Sequence, residues 1–431
     1  MKYLINIIIY ALLSHQLFAQ VPAPAKPQSK PILILGGTAH IGDGTVINNA
    51  AIAFDKGKIT SVSSSGEFTS DQSEFEVIDA TGKHIYPGFI LPNTDLGLRE
   101  VSAVRATIDD AETGVLKPHI RSIIAYNTDS ELIPTLRFNG ILTAQVTPQG
   151  GTVAGTSSVV QLDAWNWEDA VIKMDNGLHI NWPRKKLPPR WWLGENEPRV
   201  NENYAQSLAE LKELIRSAYA YNNSSRSPKN LKLEAMSGIF DGSKKVFIRT
   251  GKANQIIESI EFLKKYDIKE IVLVGAGDVA YVKDYIKEND IAVILGNLHR
   301  KPSRPEEDID LPYRLPAILD QAGITYCLGY QGVSNARNLP FFAGTSVAYG
   351  VDKEAAIKSV TMNAAEIIGV SDFLGSLTVG KQATLFISEG DALDMLGNNV
   401  TTIFIQGRNV ELDAMQQRLY LKYKEKYSIT D

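Results

Sequence analysis

Polar residues at the ends of short apolar segments are the residues of this sequence best suited to chemistry. Asn93, Thr94 and Asp95 directly follow the segment PGFILP, and Arg249 lies near the end of KVFIRT. Amide and carboxylate oxygens accept hydrogen bonds, whereas a guanidinium only donates them and carries a permanent positive charge. We expect Asn93, Asp95 and Arg249 to bind a ligand, and Asp95 and Arg249 are also candidates for catalysis.

The histidines are poorly placed for a metal site. Beyond the N-terminal segment, no two of them lie within two residues of each other; they are His40, His84, His119, His179 and His299. Imidazole is the preferred neutral ligand of zinc, so the chain has no local histidine pair for it, and Asp95 alone does not hold zinc tightly. We expect no cofactor, with zinc present only if an atypical site is functional.

Arg249 needs a partner if it is buried. An uncompensated buried charge costs several kcal/mol, so we predict an ion pair between Arg249 and Asp95 across the site. The alternative is that Arg249 is a solvated residue at the end of its strand.

Other candidate residues have simpler alternatives. His299, in LGNLHRKP, is a candidate general base or an ordinary exposed loop histidine. The Gly-rich stretch Pro148 to Ser158 either offers backbone N–H groups to a carbonyl or carboxylate, or uses its glycines only to turn. Asp278, Asn297 and Asn335 add polar groups near strand ends but form no recognisable triad.

The middle of the chain alternates strand-like and helix-like segments. Strands are predicted at Lys245 to Thr250, Glu270 to Gly275, Ala292 to Gly296 and Ile324 to Gly329, with a helix after the first that aligns Ile256, Ile260 and Leu263. Apolar strands separated by helices indicate parallel βαβ units, and the length favours a (β/α)8 TIM barrel. In that fold the candidate residues share the face formed by the C-terminal strand ends.

The two ends of the chain resemble each other. Both contain short alternating apolar runs that predict hairpin strands, and at the N-terminal end Asp43-Gly44 and Lys56-Gly57 mark the turns. We expect a small β-sandwich domain built from residues 31–86 and 375–412, enclosing a barrel domain at 87–374. Residues 1–20 are predicted to be a signal peptide, 21–30 a flexible lead-in and 413–431 a C-terminal tail.

Composition and the N-terminus limit the choice of partners. A net charge of −5 gives no basic face for nucleic acid. One lysine followed by an apolar run too short to span a bilayer is typical of a secretory signal peptide, so we expect an exported, periplasmic or extracellular protein with no membrane anchor after cleavage. The alternative is a short membrane anchor. The single Cys327 excludes an internal disulfide and is expected to be a buried structural thiol rather than a nucleophile.

One segment does not look like part of a barrel. All five tryptophans of the chain lie in it: Trp165, Trp167, Trp182, Trp191 and Trp192. It is either an aromatic loop that faces a substrate or partner, or a loop packed onto the barrel by its own aromatic side chains. A helix with one apolar face is predicted to follow, from Asn201 to Tyr219.

Four blocks in order resemble the amidohydrolase superfamily. They are VIDATGKHIYPGF, RNLPFFAGTSVAYGVDKEAAIKSVTMNAAEIIG, GSLTVGKQATLFI and VTTIFIQGRNV, and together they extend over nearly the whole mature chain. The resemblance is to the branch that includes imidazolonepropionase and related secreted amidohydrolases. It implies a barrel with a small β domain, and a hydrolase of non-peptide C–N bonds that uses one or two divalent metals, typically zinc.

The same resemblance implies where metal ligands belong. In the family they come from a His-x-His pair after the first barrel strand, histidines after the fifth and sixth, and an Asp after the eighth. Here the pair falls on Asn93 and Asp95, the fifth-strand position on Arg249, the sixth on or near Gly275 and the Asp on or near Gln331. We therefore expect a degenerate metal site, with Asn93, Asp95, Arg249 and Gln331 as ligand-binding residues.

These observations leave three functions open. The first is an amidohydrolase acting on a small or peptide-derived molecule with an atypical metal site. The second is an inactive relative that binds a ligand or supports an active partner, as a homo-oligomer or paired with a related amidohydrolase. The third is a metal-free lyase or hydrolase that uses His299 and carboxylates.

Overall fold

The computed structural model describes residues 23–302, 304 and 306–429, and the predicted signal peptide at 1–20 lies outside the described residues. The strands are β1 Ile32–His40, β2 Val46–Asp55, β3 Lys58–Ser64, β4 Glu76–Asp79, β5 His84–Pro87, β6 Phe89–Thr94, β7 Ile141–Val146, β8 Val153–Gln161, β9 Val171–Asn181, β10 Lys186–Leu187, β11 Arg199–Val200, β12 Lys245–Thr250, β13 Ile271–Gly275, β14 Ala292–Leu295, β15 Tyr326–Leu328, β16 Leu385–Ser388, β17 Val400–Ile405 and β18 Arg408–Val410. The α-helices are α1 Leu132–Arg137, α2 Trp167–Ala170, α3 Tyr204–Asn222, α4 Leu231–Glu234, α5 Gly238–Asp241, α6 Ala253–Lys264, α7 Lys283–Glu288, α8 Leu311–Gln321, α9 Val333–Ala336, α10 Leu339–Ala348, α11 Lys353–Ser359, α12 Met362–Ile368 and α13 Met415–Lys426.

Strands from both ends of the chain form one sheet, which we call the terminal sheet. Its order is β18-β17-β16-β5-β1-β2-β3, and β4 also pairs with β1. Two-residue turns at Lys56-Gly57 and Gln406-Gly407 have positive φ at both residues, as hairpins of this length favour. The turns pack together so closely that a Cβ on Gly57 would lie 2.7 Å from the Gln406 carbonyl oxygen. The two ends therefore meet in one layer, while a sandwich of two layers stays a prediction.

The other large sheet is almost closed on itself, and we call it the barrel. Its order is β15-β14-β13-β12-β9-β8-β7-β6. Its first and last strands approach each other at their ends, where the Asp95 N–H donates to the Gln331 carbonyl oxygen at 3.0 Å. The mixed α/β, TIM-like architecture predicted from the sequence is confirmed at this level.

One strand departs from a regular (β/α)8 pattern. β8 runs antiparallel to both β7 and β9, whereas the other pairs in the barrel are parallel. The loop between β7 and β8 is too short for a crossover helix, and only an antiparallel return is compatible with so short a connection. The expectation of eight parallel strands is therefore corrected here.

The helices cover the barrel with the apolar faces that the sequence indicates. Helix α6 buries Ile256, Ile260 and Leu263, as predicted, and α3 buries Leu211, Ile215 and Ala218. Helix α13 occupies most of the predicted C-terminal tail and buries none of its residues. In the described part of the chain, no helix combines the length and apolar character needed to cross a membrane.

Candidate ligand site at the barrel mouth

Arg249 lies near the C-terminal end of β12, and its guanidinium reaches the far side of the barrel. Its Nη2 donates to Asn93 Oδ1 at 2.7 Å, and its Nη1 lies 3.4 Å from the Pro148 carbonyl oxygen and 3.5 Å from Asn181 Oδ1. Asn181 ends β9, the strand beside β12. Three strand ends and the loop after β7 therefore meet at one guanidinium.

Asn93 is held for this contact by its backbone. It adopts a left-handed conformation with φ of 56°, which Asn tolerates better than most residues. Its N–H donates to Gln145 Oε1 at 3.1 Å, and Gln145 in turn donates to Ser157 Oγ at 3.1 Å. The amide oxygen that meets Arg249 is therefore placed by a buried polar chain inside the barrel.

Ser157 and His179 continue this polar chain. His179 Nε2 and Ser157 Oγ are 2.8 Å apart, and Ser157 also donates to Asn176 Oδ1 at 2.8 Å. The His179 ring stacks on Phe247 with centroids 4.7 Å apart. Burial, assisted by the positive charge of Arg249, holds the pKa of His179 well below its usual range. His179 is therefore a neutral imidazole in the barrel interior.

Asp95 is placed differently from the prediction. It is buried, and its Oδ2 lies 3.7 Å from Nε of Arg99, which also donates through Nε to Asp110 Oδ2 at 3.1 Å. The predicted direct ion pair with Arg249 is wrong, because the kink at Asn93 presents the amide rather than the carboxylate to the guanidinium. Asp95 still acts on Arg249 through its charge: burial lowers the pKa of Arg249 to about 10, and Asp95 opposes that shift.

The Gly-rich loop between β7 and β8 uses its carbonyl groups to hold side chains. Pro148, Gln149 and Gly151 accept hydrogen bonds from Arg249, Lys117 and Asn181 respectively, at 3.4, 3.3 and 2.6 Å. The prediction proposed backbone N–H donors for this loop instead. Gly150 and Gly151 have φ of 68° and 70°, so the alternative reading, that glycine is needed for the turn, matches the backbone.

Lys117 is a buried cation beside the Gly-rich loop that sequence reasoning missed. It is only 2% exposed, its Nζ also donates to the Glu112 carbonyl oxygen at 2.8 Å, and burial lowers its pKa. It lines a cavity of about 480 Å³ together with His119 and Lys232. Nothing in the sequence around Lys117 marks it. Asn181 ends β9, so a search for polar residues at strand ends could have found it.

The remaining predicted residues are not in the hydrogen-bonded cluster around Arg249. Gln331 has an exposed side chain and contributes its carbonyl oxygen to Asp95, and Gly275 faces open space. His299 is exposed, bonds Thr345 Oγ1 at 2.7 Å and packs against Phe342 on α10.

Three further polar residues near strand ends lie outside the Arg249 cluster. Asp278 pairs with Arg304 at 2.9 Å, and Asn335 donates to the Tyr330 hydroxyl at 3.2 Å. The side-chain oxygen of Asn297 is buried and has no hydrogen-bond partner among the residues that the structure describes. None of the three adds a contact to Arg249.

The residues at the mouth do not fit a zinc centre. Across residues 23–302, 304 and 306–429, no group of three or more His, Cys, Asp or Glu side chains is arranged to hold a metal ion. At an effective dielectric constant of about 20, like unit charges about 4 Å apart repel by about 4 kcal/mol, and a divalent ion doubles this. A cation held by Asn93 would meet that repulsion from Arg249, whose Nη2 is 2.7 Å from the same oxygen.

Part of this chain matches the amidohydrolase family. The family model described as "Amidohydrolase family" matches residues 255–410. A 5-methylthioadenosine/S-adenosylhomocysteine deaminase from Teredinibacter turnerae is 29% identical over 119 residues, which are 22% of this chain and 27% of that protein. The match therefore spans about a quarter of that relative's length.

Solved structures share the fold over most of the chain. An amidohydrolase from Thermotoga maritima MSB8 has a TM-score of 0.77 at 21% identity, covering 88% of this chain and 99% of that one. An adenosine deaminase from Xanthomonas campestris with bound zinc has a TM-score of 0.51 at 14% identity, covering 94% and 99%. The resemblance to the superfamily is thus confirmed for the fold and for the domain at 255–410, while the imidazolonepropionase-like branch stays a prediction.

Proposed function

We propose that this protein is a catalytically inactive amidohydrolase relative that binds a small-molecule ligand at the barrel mouth, with the family's zinc centre lost. The observation that carries the proposal is the 2.7 Å hydrogen bond between Arg249 and Asn93, at two positions where the family resemblance implies metal ligands. A guanidinium repels a divalent cation and offers it no lone pair, and it still binds polar ligands well.

A second candidate is a hydrolase of non-peptide C–N bonds with an atypical zinc site. The family match at 255–410 and the deaminase relative favour it. It requires a metal, or another way to activate water, in the presence of Arg249. The third function proposed from the sequence, a metal-free enzyme using His299, is disfavoured because that ring contacts Thr345 and Phe342 rather than the Arg249 cluster.

Metal analysis of the protein purified without chelator or added metal separates the two candidates. We expect far less than about one zinc per chain, the content of a mononuclear site. We also expect Arg249→Met to contain no zinc, because it removes the cation without supplying a ligand. About one tightly held zinc in the wild type, with chelator-sensitive hydrolysis, would overturn the proposal in favour of the second candidate.

Export and partners remain proposals. We infer cleavage near residue 20 and release to the periplasm or outside, from the charge and apolar run of the first residues. The mass of the mature chain from the periplasmic fraction tests this, and an uncleaved N-terminus in the membrane fraction would contradict it. Pairing with itself or with an active relative is tested by the mass of the assembly in that fraction.

A further inference from the structure

We propose that the ligand of this mouth presents a single carboxylate to Arg249. This inference rests on the proposed function and names the chemical class of its ligand. The structure contributes two observations: the kind of acceptor that Arg249 has, and the position of the acidic side chains around it.

The first observation is that Arg249, the cation of the mouth, hydrogen-bonds to neutral oxygens. Arg249 donates to Asn93, Pro148 and Asn181, two of these contacts being as long as 3.4 and 3.5 Å. Within the described residues its buried Nε has no hydrogen-bond partner. Neutral acceptors leave the positive charge of Arg249 only partly compensated, and an anion would bind such a site favourably.

The second observation concerns the two nearest buried carboxylates. Asp95 and Asp110 are both engaged by Arg99, which lies between them. Arg99 therefore partly compensates the negative charges of both carboxylates. The positive charge of Arg249 remains available at the mouth, where its side chain is partly exposed.

The same acidic groups limit the charge of the ligand. Asp95 is close enough to raise the pKa of Arg249 against the effect of burial. It would therefore repel an incoming anion, and a dianion about twice as strongly as a monoanion. A planar guanidinium also matches the two oxygens of a carboxylate in a bidentate pair. Both arguments favour a carboxylate over a phosphate.

The test compares N-acetylglycine with N-acetylglycinamide, which has nearly the same shape without the charge. Binding is followed by saturable chemical-shift changes or by titration calorimetry on metal-analysed full-length mature protein. Hydrogen bonds to a charged group typically change affinity about ten- to a hundredfold, and we expect the acid to bind more tightly by at least the lower factor. Inorganic phosphate is the third probe and should bind more weakly than the acid.

Two variants locate the effect. Arg249→Met should abolish the preference for the acid, while Arg216→Met, on an exposed arginine of α3, should preserve it. If Arg249→Met does not fold, Asn93→Asp provides the same test, because it places a carboxylate on the guanidinium and should exclude the ligand's own.

The possible failures are distinguishable. Equal binding of acid and amide, tighter binding of phosphate, or an unchanged preference in Asn93→Asp would overturn this inference, and metal-free protein would leave the proposed function standing. About one bound zinc per chain would overturn the proposed function itself.

Discussion

Asp163→Asn tests how the two ends of the chain are joined to the barrel. Asp163 follows β8, and its side chain is only 6% exposed. Its Oδ1 lies 3.2 Å from Arg137 Nη1, and its Oδ2 lies 2.6 Å from Arg408 Nη1 and accepts the Ala25 N–H at 3.0 Å. One carboxylate therefore connects helix α1, strand β18 and the lead-in before β1.

The structure sets the size of the expected effect. Removing one partner of a buried ion pair typically costs about 3–5 kcal/mol, because the remaining charge is left buried without compensation. Here Asn retains one oxygen, and Arg408 keeps its bonds to the Asp163 carbonyl oxygen at 2.8 Å and to Gln161 at 3.2 Å. We therefore expect a loss of about 3 kcal/mol in the free energy of unfolding, the lower end of that range.

Urea unfolding followed by tryptophan fluorescence measures this loss. The matched control is Glu131→Gln, which removes one of the two carboxylate partners of Arg418 at a pair that is about half exposed on both sides. Such surface pairs contribute about 0–1 kcal/mol, so the control should unfold almost like the wild type. If Asp163→Asn were no more destabilising than Glu131→Gln, this network would not connect the terminal sheet to the barrel in the way its geometry indicates.

Two further predictions concern the barrel interior. Gly177→Ala should lower the free energy of unfolding by about 1–3 kcal/mol, because the added Cβ would overlap the Phe247 ring; an unchanged urea midpoint would contradict this. Stability should also fall as the pH drops below His179's ordinary pKa of 6.5, since the unfolded chain takes up a proton that the folded, neutral imidazole does not. The slope approaches about 1.4 kcal/mol per pH unit for one such group, and His179→Gln should reduce it; an identical pH profile in that variant would assign the effect to other residues.

Strands β12 to β15 were predictable because each is a short, mainly apolar run that ends at or before a glycine or polar residue. Lys245–Thr250 is found as predicted, and β13, β14 and β15 lie within one or two residues of the predicted ends. Helix α3 is shifted by three residues at both ends, from 201–219 to Tyr204–Asn222. Local sequence patterns therefore located these elements well. They did not reveal the direction in which every strand of the sheet runs.

Strand β8 was not predicted, because its sequence VAGTSSVVQ lacks a continuous apolar run although every residue of the strand is buried. Its first residues were interpreted as part of the Gly-rich stretch Pro148 to Ser158. For the direction of β8, the available signal was the short loop before it, since a crossover helix does not fit there.

The aromatic segment divides in a way that its sequence did not indicate. Trp182 is buried, whereas Trp165, Trp191 and Trp192 are 66%, 77% and 65% exposed. The reading of a loop packed by its own aromatics thus describes Trp182, and the exposed tryptophans do not follow it. The predicted flexible lead-in also makes specific contacts, through the Ala25 N–H and the Gln28 amide.

The partner of Arg249 was misassigned because a residue's charge is visible in the sequence and its backbone conformation is not. Asp95 is the nearest carboxylate in the motif, so electrostatics alone selects it. The left-handed φ of Asn93 and the bond from the Asp95 N–H to Gln331 together decide which of the two side chains faces the guanidinium. The proximity of Asn93 and Arg249 was predictable from the sequence, and which side chains pair there required the closed barrel.

The same pairing bears on the proposed function, because one substitution would not create a complete zinc site here. Arg249→His would add a single imidazole, but it would leave an amide at Asn93 and a carboxylate at Asp95 that Arg99 also engages. Zinc sites in proteins require three or four well-placed ligands, and amide oxygens are weak ones. The imidazole nearest in the barrel interior, His179, is bonded to Ser157 and stacked on Phe247. Under the proposed function, several residues would therefore have to change together before zinc bound tightly at this mouth.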